Sequence, residues 1–433
     1  MSHYGTVLKT MENEIKTDNG LKPSLAECED AVFIAVTLGE HIMISGGEIS
    51  RAEDSAERIL RAYGAKSVDV TAILSVIVVS AEFECGNVNS SRRITEIGSH
   101  NLGRLSRLNA LSRRICRERP SKQEFLESLE EINRVSRVGL LISCLGAVVA
   151  AAGFAMFFGG DMLDALFSGL IAIPMTLLMV WLSSIKMNNI IAKFVVCLVG
   201  GCLAVLVDRL GIGCNADKIM IGDIMNVIPG VLLANSFRDL FGGDIMSGFF
   251  RMCTALLNAA SIAIGYAVAI ITLGGVTTMG QVEWGIAMIL VASTVGTMGI
   301  ILQFGIEKRV IIWALISSIL CCATYEMIFE AGWGLFMSSL IASAVAAAYS
   351  DVMAHIVKVP ATVLIIPAIV PLVPGGKLYY TMYGAVSSDM VKFSSNGIDA
   401  LKIAAGLAIG VIAVTAISRP VNAWIGERRS KLQ

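Results

Sequence analysis

The sequence is poor in charge. Asp, Glu, Lys and Arg together make up only 16% of its 433 residues, whereas a soluble globular protein carries about 25%. Hydrophobic residues account for 55% of the chain, and its mean hydropathy is +0.71. This composition excludes an ordinary soluble protein and predicts an integral membrane protein.

The signatures of several enzyme and metalloprotein classes are also missing. The ten cysteines include no CxxC pair and no Cys/His group at zinc spacing, which argues against the common zinc sites. The sequence contains no GxSxG elbow, no HExxH motif and no nucleotide-binding P-loop. We therefore expect no cofactor, no metal site, no direct use of ATP and no enzymatic activity.

The charge that is present is concentrated at the start of the chain. Residues 1–137 hold 38 of the 69 charged residues, which predicts a soluble domain ahead of a membrane domain of about 300 residues. The stretch 1–23 is polar and lacks the apolar core of a signal peptide. We therefore predict a flexible tail at 1–23 and a cytoplasmic domain at 24–136.

Hydrophobic periodicity predicts a small α+β fold for this domain. Two helical patterns each end in glycine, β-branched stretches follow, and helical periodicity then returns. The predicted order is two helices, two or three strands and two further helices, at 24–45, 48–63, 68–84, 88–94, 102–119 and 121–133.

Two features of the soluble domain suggest other functions. His41, with Glu40, Glu48 and Arg51 close in sequence, would permit a hydrolase-like site, but no nucleophile motif accompanies it. Eight arginines within 92–119 are typical of a nucleic-acid-binding surface. That stretch has no aromatic residue to stack on a base, so we interpret it as a surface facing anionic lipid and expect no nucleic-acid partner.

The rest of the chain contains ten apolar segments. Most of them reach the roughly 20 residues that a bilayer requires, while the fourth and ninth are short and end in Pro-Gly. They lie at 138–158, 163–184, 190–210, 218–234, 252–273, 283–304, 309–330, 334–350, 359–373 and 398–418.

A tandem duplication relates the two halves of the membrane domain. A shift of 145 in residue number, without gaps, places Pro229-Gly230 on Pro374-Gly375 together with many of the surrounding apolar residues. The same shift carries the first five apolar segments onto the last five. The sequence therefore predicts one repeat at 137–273 and a second at 283–418.

An odd number of spans in each repeat implies that the second repeat is inverted. Lys and Arg are absent from the predicted external loops at 159–162, 274–282 and 331–333 and frequent in the predicted cytoplasmic ones. The exceptions on the external side are Arg209, Lys218, Lys377 and Lys392. We predict a polytopic α-helical membrane protein with ten transmembrane helices in two inverted five-helix repeats. Its N-terminus and its tail at 419–433 are predicted to be cytoplasmic.

The functional site is predicted at the broken apolar stretch from Ile219 to Gly248. Asp223 and Asn226 lie where hydrocarbon accepts neither without cost, and Pro229-Gly230 interrupts the helical hydrogen bonds. Secondary transporters build substrate sites from broken helices of this kind, although a proline kink beside an ordinary loop would look the same. Unwound backbone at both breaks would hold charged groups of a solute, while Asp223 would meet an ammonium group.

Candidate residues follow from this hypothesis. Those for the substrate are Asp223, Asn226, Pro229, Gly230, Asn235, Asp239, Asn258, Pro371, Pro374 and Gly375. Those for proton coupling are Asp223 and Glu326, because an acidic side chain within a span must be paired, protonated or in contact with water. For Glu326, a merely interfacial position is the alternative.

Sequence motifs also link the chain to a known family. They include IPGVLLANSFRD at Ile228–Asp239 and IVPLVPGG at Ile369–Gly376, together with Glu48, Arg51 and Arg92-Arg93 in the soluble domain. On these residues the chain resembles the threonine/serine exporter family from about residue 25 to 417. The resemblance implies a cytoplasmic domain followed by ten spans, and export of small polar metabolites driven by the proton gradient.

The predicted function is therefore export of small polar amino acids such as threonine and serine across the cytoplasmic membrane. Relatives that are split into two polypeptides are associated with succinate, so a dicarboxylate exporter is the nearest alternative. Asp223 favours an amino acid, because an unpaired carboxylate would repel succinate. A membrane-anchored hydrolase is the more distant alternative. The expected partners are the solute, protons and the lipid bilayer, and the sequence is compatible with a homo-oligomer.

Overall fold

The computed structural model of the protein describes residues 24–73, 75–94, 101–211, 214–229, 232–233, 235–236, 239–240, 243–274 and 282–430. The chain divides into two compact units. The first comprises residues 1–99 and 107–135, and the second comprises residues 100–106 and 136–433. The tail predicted at 1–23 and the candidate residue Gly230 lie outside the described residues.

The first unit is built around a three-stranded antiparallel sheet in the order β1-β2-β3. Its elements are α1 Leu25–Ile44, α2 Ile49–Ala62, β1 Ser67–Ile73, β2 Val76–Phe83, β3 Gly86–Arg93, α3 Leu102–Glu118 and α4 Lys122–Val135. The first turn of α3 belongs to the second unit. The helices and strands predicted for this part of the chain are all present, and the α+β pattern is confirmed.

Local chemistry explains where these elements begin and which face they bury. Ser24 and Glu27 form the two hydrogen bonds of a capping box at the start of α1. Along β2 every second residue is buried and the residues between them are exposed, as expected for a sheet that is covered on one face. The buried face lies against α1 and α2. A disulfide joins Cys28 of α1 to Cys85 in the turn between β2 and β3.

Arg92 joins the sheet to α1 through three contacts. Its guanidinium donates to the Thr37 hydroxyl at 2.8 Å and pairs with the Glu40 carboxylate at 2.9 Å. It also lies 5.3 Å from the centre of the Phe33 ring. At least this member of the arginine-rich stretch therefore serves the internal structure of the unit.

Replacing Arg92 with alanine should loosen the contact between α1 and β3. The ion pair is partly exposed, so we expect a loss of about 1 kcal/mol. In hydrogen–deuterium exchange of the full chain, amides of α1 and β3 should exchange roughly fivefold faster. Arg93 is exposed, and its alanine variant is the matched control. Equal exchange in the two variants would contradict this role for Arg92.

The second unit is helical. Its helices are α5 Leu140–Phe157, α6 Met162–Ser184, α7 Asn189–Arg209, α8 Ala216–Ile224, α9 Ile245–Leu273, α10 Ile286–Gln303, α11 Lys308–Glu330, α12 Gly334–Val357, α13 Thr362–Ile369, α14 Gly375–Val386 and α15 Met390–Ser430. Among the described residues, eight of these are long and apolar enough to cross a membrane, namely all except α8, α13 and α14.

The two short apolar segments of the sequence, the fourth and the ninth, overlap α8 and α13, while α14 lies beyond the end of the ninth segment. Residues 362–372 and 375–385 form a pair bent by 44° that together meet the length and composition of a ninth span. The structure therefore contains eight or nine candidate spans in the part of the chain it describes, where the sequence predicts ten. The difference lies at α8, because that helix has only nine residues and much of 230–242 is not described.

Glycines bring α5 and α10 into close contact. Gly146 lies against Gly299, and Gly153 lies against Gly296. Because residue numbers rise along α5 as they fall along α10, the two helices are antiparallel. A Cβ on Gly153 would lie 2.7 Å from the Cα of Gly296, so no larger residue fits. Small residues at such crossings are typical of packed membrane helices.

The helix boundaries recur along the second unit. The helices α5 to α9 begin at positions 140, 162, 189, 216 and 245, and α10 to α13 and α15 begin at positions 286, 308, 334, 362 and 390. The first residue numbers of corresponding helices therefore differ by 145 or 146. These intervals agree within one residue with the shift that aligns the two halves of the sequence.

Helices α7 and α9 run parallel to each other. Ser261 and Gly265 of α9 contact Ile190 and Cys197 of α7, so residue numbers rise together along the pair. The helix α15 packs on α12 in the same sense. In each pair, the chain that leaves the end of the first helix must come back to the side where that helix began. The short helices α8, α13 and α14 lie in these returning segments.

Candidate functional site

The first of the two broken segments, the one with the Pro229-Gly230 break, contains the fully buried helix α8. Gly222 allows this helix to approach α5 and α6, since a Cβ there would lie 2.6 Å from both the Ala151 carbonyl oxygen and the Ser168 hydroxyl. The helix ends at Ile224, and the buried Pro229 follows shortly after it. Three of its nine residues are charged, so charged side chains are held inside the helix bundle.

The second broken segment meets the first. A 3₁₀ turn that contains Pro371 ends α13, and Pro374 immediately precedes α14. Gly375 at the start of α14 faces the residues that follow α8, since a Cβ on it would lie 2.5 Å from the Met225 sulfur and 3.4 Å from Ile228. The structure thus brings together the two breaks that the sequence singled out.

Asp223 is fully buried, with 0% of its surface exposed. Its Oδ1 accepts a hydrogen bond from the Ser168 hydroxyl at 3.2 Å, and its Oδ2 has no partner among the described residues. A buried carboxylate with an unpaired oxygen is costly unless it is protonated or bound to a ligand. The shift that aligns the two halves places Asp223 on Ala368, so the second repeat does not duplicate this acid.

Asn226 lines a cavity of about 200 Å³ at one end of α8. Gln303, Thr176 and Ser143 are among the other lining residues. The Asn226 amide donates to the Ala147 carbonyl at 3.2 Å and accepts a hydrogen bond from Gln303 at 2.8 Å. These two contacts hold the side chain in place at a cavity with several polar groups.

A larger cavity, of about 570 Å³, lies at the other end of α8 and was not foreseen from the sequence. Lys218 of α8 and both Lys377 and Tyr380 of α14 are among its lining residues. The Tyr380 hydroxyl donates to Asp217 at 2.8 Å and accepts from the Lys218 ammonium at 3.3 Å. A signal was available, because Lys218 and Lys377 are two of the exceptions to the predicted charge bias of the loops.

Asp223 lies between the two cavities along the chain. Lys218 precedes it by five positions, about 7.5 Å along the helix axis, and Asn226 follows it by three positions, just beyond the end of α8. Neither cavity includes Asp223 in its lining. The carboxyl group is therefore buried in the protein between residues that line the two cavities.

Other predicted residues have contacts elsewhere. Asp239 forms a buried ion pair with Arg251 at 2.9 Å, and the Asn258 amide donates to the Thr254 carbonyl of its own helix at 2.8 Å. Asn235 and Glu326 are half-buried. Of the described candidates, Gly375 meets Met225 and Ile228, the neighbours of Asn226 and Pro229 in the chain. Pro371 and Pro374 lie shortly before Gly375, and Asp223 lies on α8 just before the first break. Asn235, Asp239, Asn258 and Glu326 line neither cavity.

The first unit offers less for catalysis. Of the residues predicted to surround His41, Glu48 directly precedes α2 and pairs with Arg51 at 3.5 Å, and Glu40 pairs with Arg92. Within the part of the chain that the structure describes, no three His, Cys, Asp or Glu side chains are grouped so that they could hold a metal ion.

Comparison with known proteins identifies related families. Residues 34–273 match a family described as a putative threonine/serine exporter, and residues 289–417 match a second family described as the threonine/serine exporter ThrE. The gap between the two matches falls at the start of α10, where the helix boundaries begin to recur. No curated protein and no solved structure matches the chain.

Proposed function

This chain belongs to the threonine/serine exporter family, and from that premise we propose that it exports small polar amino acids such as threonine and serine in exchange for protons. The observation that carries the proposal is Asp223, a fully buried carboxylate with one unpaired oxygen among the described residues. It lies on a short helix whose two ends reach different cavities. Intramembrane acids in such positions are characteristic of proton relays and substrate sites.

One carboxyl group can serve both the proton and the amino acid. An ionised Asp223 attracts the ammonium group of the substrate, whereas a protonated Asp223 does not. Proton and substrate would therefore compete for the same group. A protein that exposes this group first to one side and then to the other would carry the two in opposite directions, so that entry of a proton drives exit of an amino acid.

Several features support ten spans arranged as two inverted repeats. Helices that correspond in the two halves begin at residue numbers that differ by 145 or 146, and the first such pair, α5 and α10, is antiparallel. The parallel packing of α7 with α9 and of α12 with α15 favours a broken span in each half. The charge bias of the loops favours cytoplasmic termini and an inner-membrane location.

The Asp223 carboxylate also bears on the choice of solute. A dicarboxylate such as succinate has no ammonium group to neutralise it and would bring two further negative charges close to it. An amino acid has an ammonium group that can pair with Asp223, and it adds no net charge to the site. Threonine and serine are therefore favoured over succinate.

The test is transport by the purified full chain in proteoliposomes loaded with radiolabelled threonine. An external acid pH should accelerate threonine efflux, and an uncoupler should abolish the acceleration. Protein-free vesicles are the control. Parallel vesicles loaded with succinate separate the two solutes: efflux of succinate without efflux of threonine would overturn the proposed substrate. Threonine efflux at the same rate with and without the pH gradient would overturn the proposed coupling to protons.

A further inference from the structure

The cavity at the Lys218 end of α8 combines side chains from both halves of the membrane unit. Lys218 comes from the first half, and Lys377 from the second. Lys218 is only 2% exposed, whereas the Lys377 side chain is 36% exposed. The Lys218 ammonium group lies 3.9 Å from the Asp217 carboxylate, and the Lys377 ammonium group lies 3.0 Å from the Asp399 carboxylate. Neither acid lines the cavity.

Lys218 has hydrogen-bonding capacity left for a ligand. A lysine ammonium group has three N–H donors, and among the described residues one of them is used on the Tyr380 hydroxyl. The distance of 3.9 Å to Asp217 is too long for a hydrogen bond. Because Tyr380 also donates to Asp217, it ties the acid and the lysine together and fixes where the ammonium group lies.

The start of α14 presents further donors to the same cavity. Gly376 in its first turn lines the cavity, and Pro374 before the helix provides no capping side chain. The first N–H groups of a helix have no acceptor within the helix, and the helix dipole makes this end favourable for an anion. This twelve-residue helix therefore adds to the attraction that the two lysines exert on a negative group.

We propose that this cavity binds the carboxylate group of the transported solute between Lys218 and Lys377. The solute class, an amino acid, rests on the proposed function, while the carboxylate chemistry rests on the cavity itself. Tyr380 acts as a positioning residue for Lys218. Among the described residues, Glu283, which is exposed, is the one acidic side chain of the lining. Recognition of the carboxylate is thereby separated from Asp223, which binds the proton or the ammonium group deeper along α8.

Trp284 provides a reporter for the experiment. It lines the same cavity, and its indole N–H donates to the Gly160 carbonyl at 3.0 Å. In a full-length variant whose other four tryptophans are replaced by phenylalanine, reconstituted in nanodiscs, Trp284 fluorescence should change on addition of threonine. Lactate, which has a carboxylate but no ammonium group, should compete with threonine. Threonine amide, which has no carboxylate, should not.

Substitution of either lysine should weaken binding of the carboxylate. We expect Lys218→Gln and Lys377→Gln to raise the Kd for threonine by about tenfold to a hundredfold, the range measured when a hydrogen bond to a charged group is lost. Lys218→Arg should retain most of the affinity because it keeps the charge. Lys392→Gln is the matched control, since Lys392 pairs with Asp389 on the surface and does not line the cavity.

The outcomes separate this inference from the proposed function. Threonine efflux with the same Kd in Lys377→Gln as in Lys392→Gln would overturn the carboxylate site and leave the exporter intact. Lysine-dependent binding of succinate, without threonine efflux, would support the carboxylate site and overturn the proposed substrate. If Lys218→Gln does not fold, Lys377→Gln and Lys218→Arg test the carboxylate site. Lys377 is partly exposed, so its substitution should be tolerated, and Lys218→Arg keeps the positive charge. Equal binding of threonine and threonine amide would also overturn the site.

Discussion

Replacing Asp223 with asparagine should strongly reduce proton-driven threonine efflux and leave the fold intact. Asparagine has nearly the same shape, and its carbonyl oxygen can still accept the hydrogen bond from Ser168. It cannot take up or release a proton, and it carries no charge to attract an ammonium group. We expect the driven rate to fall by roughly 100-fold, which is the lower end of the range found when a positioned proton-transfer group is lost. The measurement is efflux from proteoliposomes with an imposed pH gradient.

Two control variants make the Asp223 result specific. Ser168→Ala removes the neighbouring hydroxyl but keeps the acid, so we expect only a severalfold change, as for the loss of one neutral hydrogen bond. Glu326→Gln removes the other acid that the sequence suggested for proton coupling. Glu326 is half-buried and lines neither cavity, so driven efflux should persist. Loss of coupling in Glu326→Gln but not in Asp223→Asn would assign the proton site to α11 instead.

Gly153→Leu should prevent the protein from assembling into a stable fold. The backbones of α5 and α10 are so close that a Cβ on Gly153 would lie 2.7 Å from the Cα of Gly296 and 2.9 Å from the Ala292 carbonyl oxygen. Backbone atoms cannot move aside as a flexible side chain can. Overpacking in a well-packed interior commonly costs about 1–3 kcal/mol, and a leucine at a backbone crossing should exceed about 3 kcal/mol because both helices must separate.

Size-exclusion chromatography of the fluorescently tagged full chain measures this effect. We expect Gly153→Leu to give aggregated or strongly reduced protein and Gly153→Ala to give an intermediate result with a lower melting temperature. Gly139→Leu is the control at the start of α5, where a Cβ would meet nothing within 4 Å. Identical profiles for the substitutions at Gly153 and Gly139 would show that α5 and α10 do not pack through glycine.

The first unit was largely predictable because its signals are local. A capping serine, a glycine after a helix and an alternating buried strand each depend on residues close together in sequence. The helix predicted at 24–45 is found at Leu25–Ile44, and the strands follow at Ser67–Ile73, Val76–Phe83 and Gly86–Arg93. The role of Arg92 was not predictable in this way, since its partners Thr37 and Glu40 lie on α1, 55 and 52 positions earlier in the sequence.

The candidate site was predictable only in part. Asp223 and the Pro-Gly breaks stand out in the sequence because a charge or a proline within an apolar stretch needs a reason. Asn258 stands out for the same reason, but the structure gives it a hydrogen bond within its own helix. Polarity within a span therefore marks residues that require a partner, and it does not show whether that partner is a solute or the protein.

The sequence by itself indicated the class of protein, the self-similarity of the two halves of its apolar part, the two interruptions and Asp223 as a candidate residue. These follow from composition, from periodicity and from self-similarity at a fixed shift, all of which can be read along one chain. Only the tertiary structure decided that Gly375 meets Met225 and that Lys218 shares a cavity with Lys377. The two members of each pair come from different halves of the membrane unit, and their proximity depends on how closely glycine-lined helices pack. A linear pattern of residues does not encode that distance.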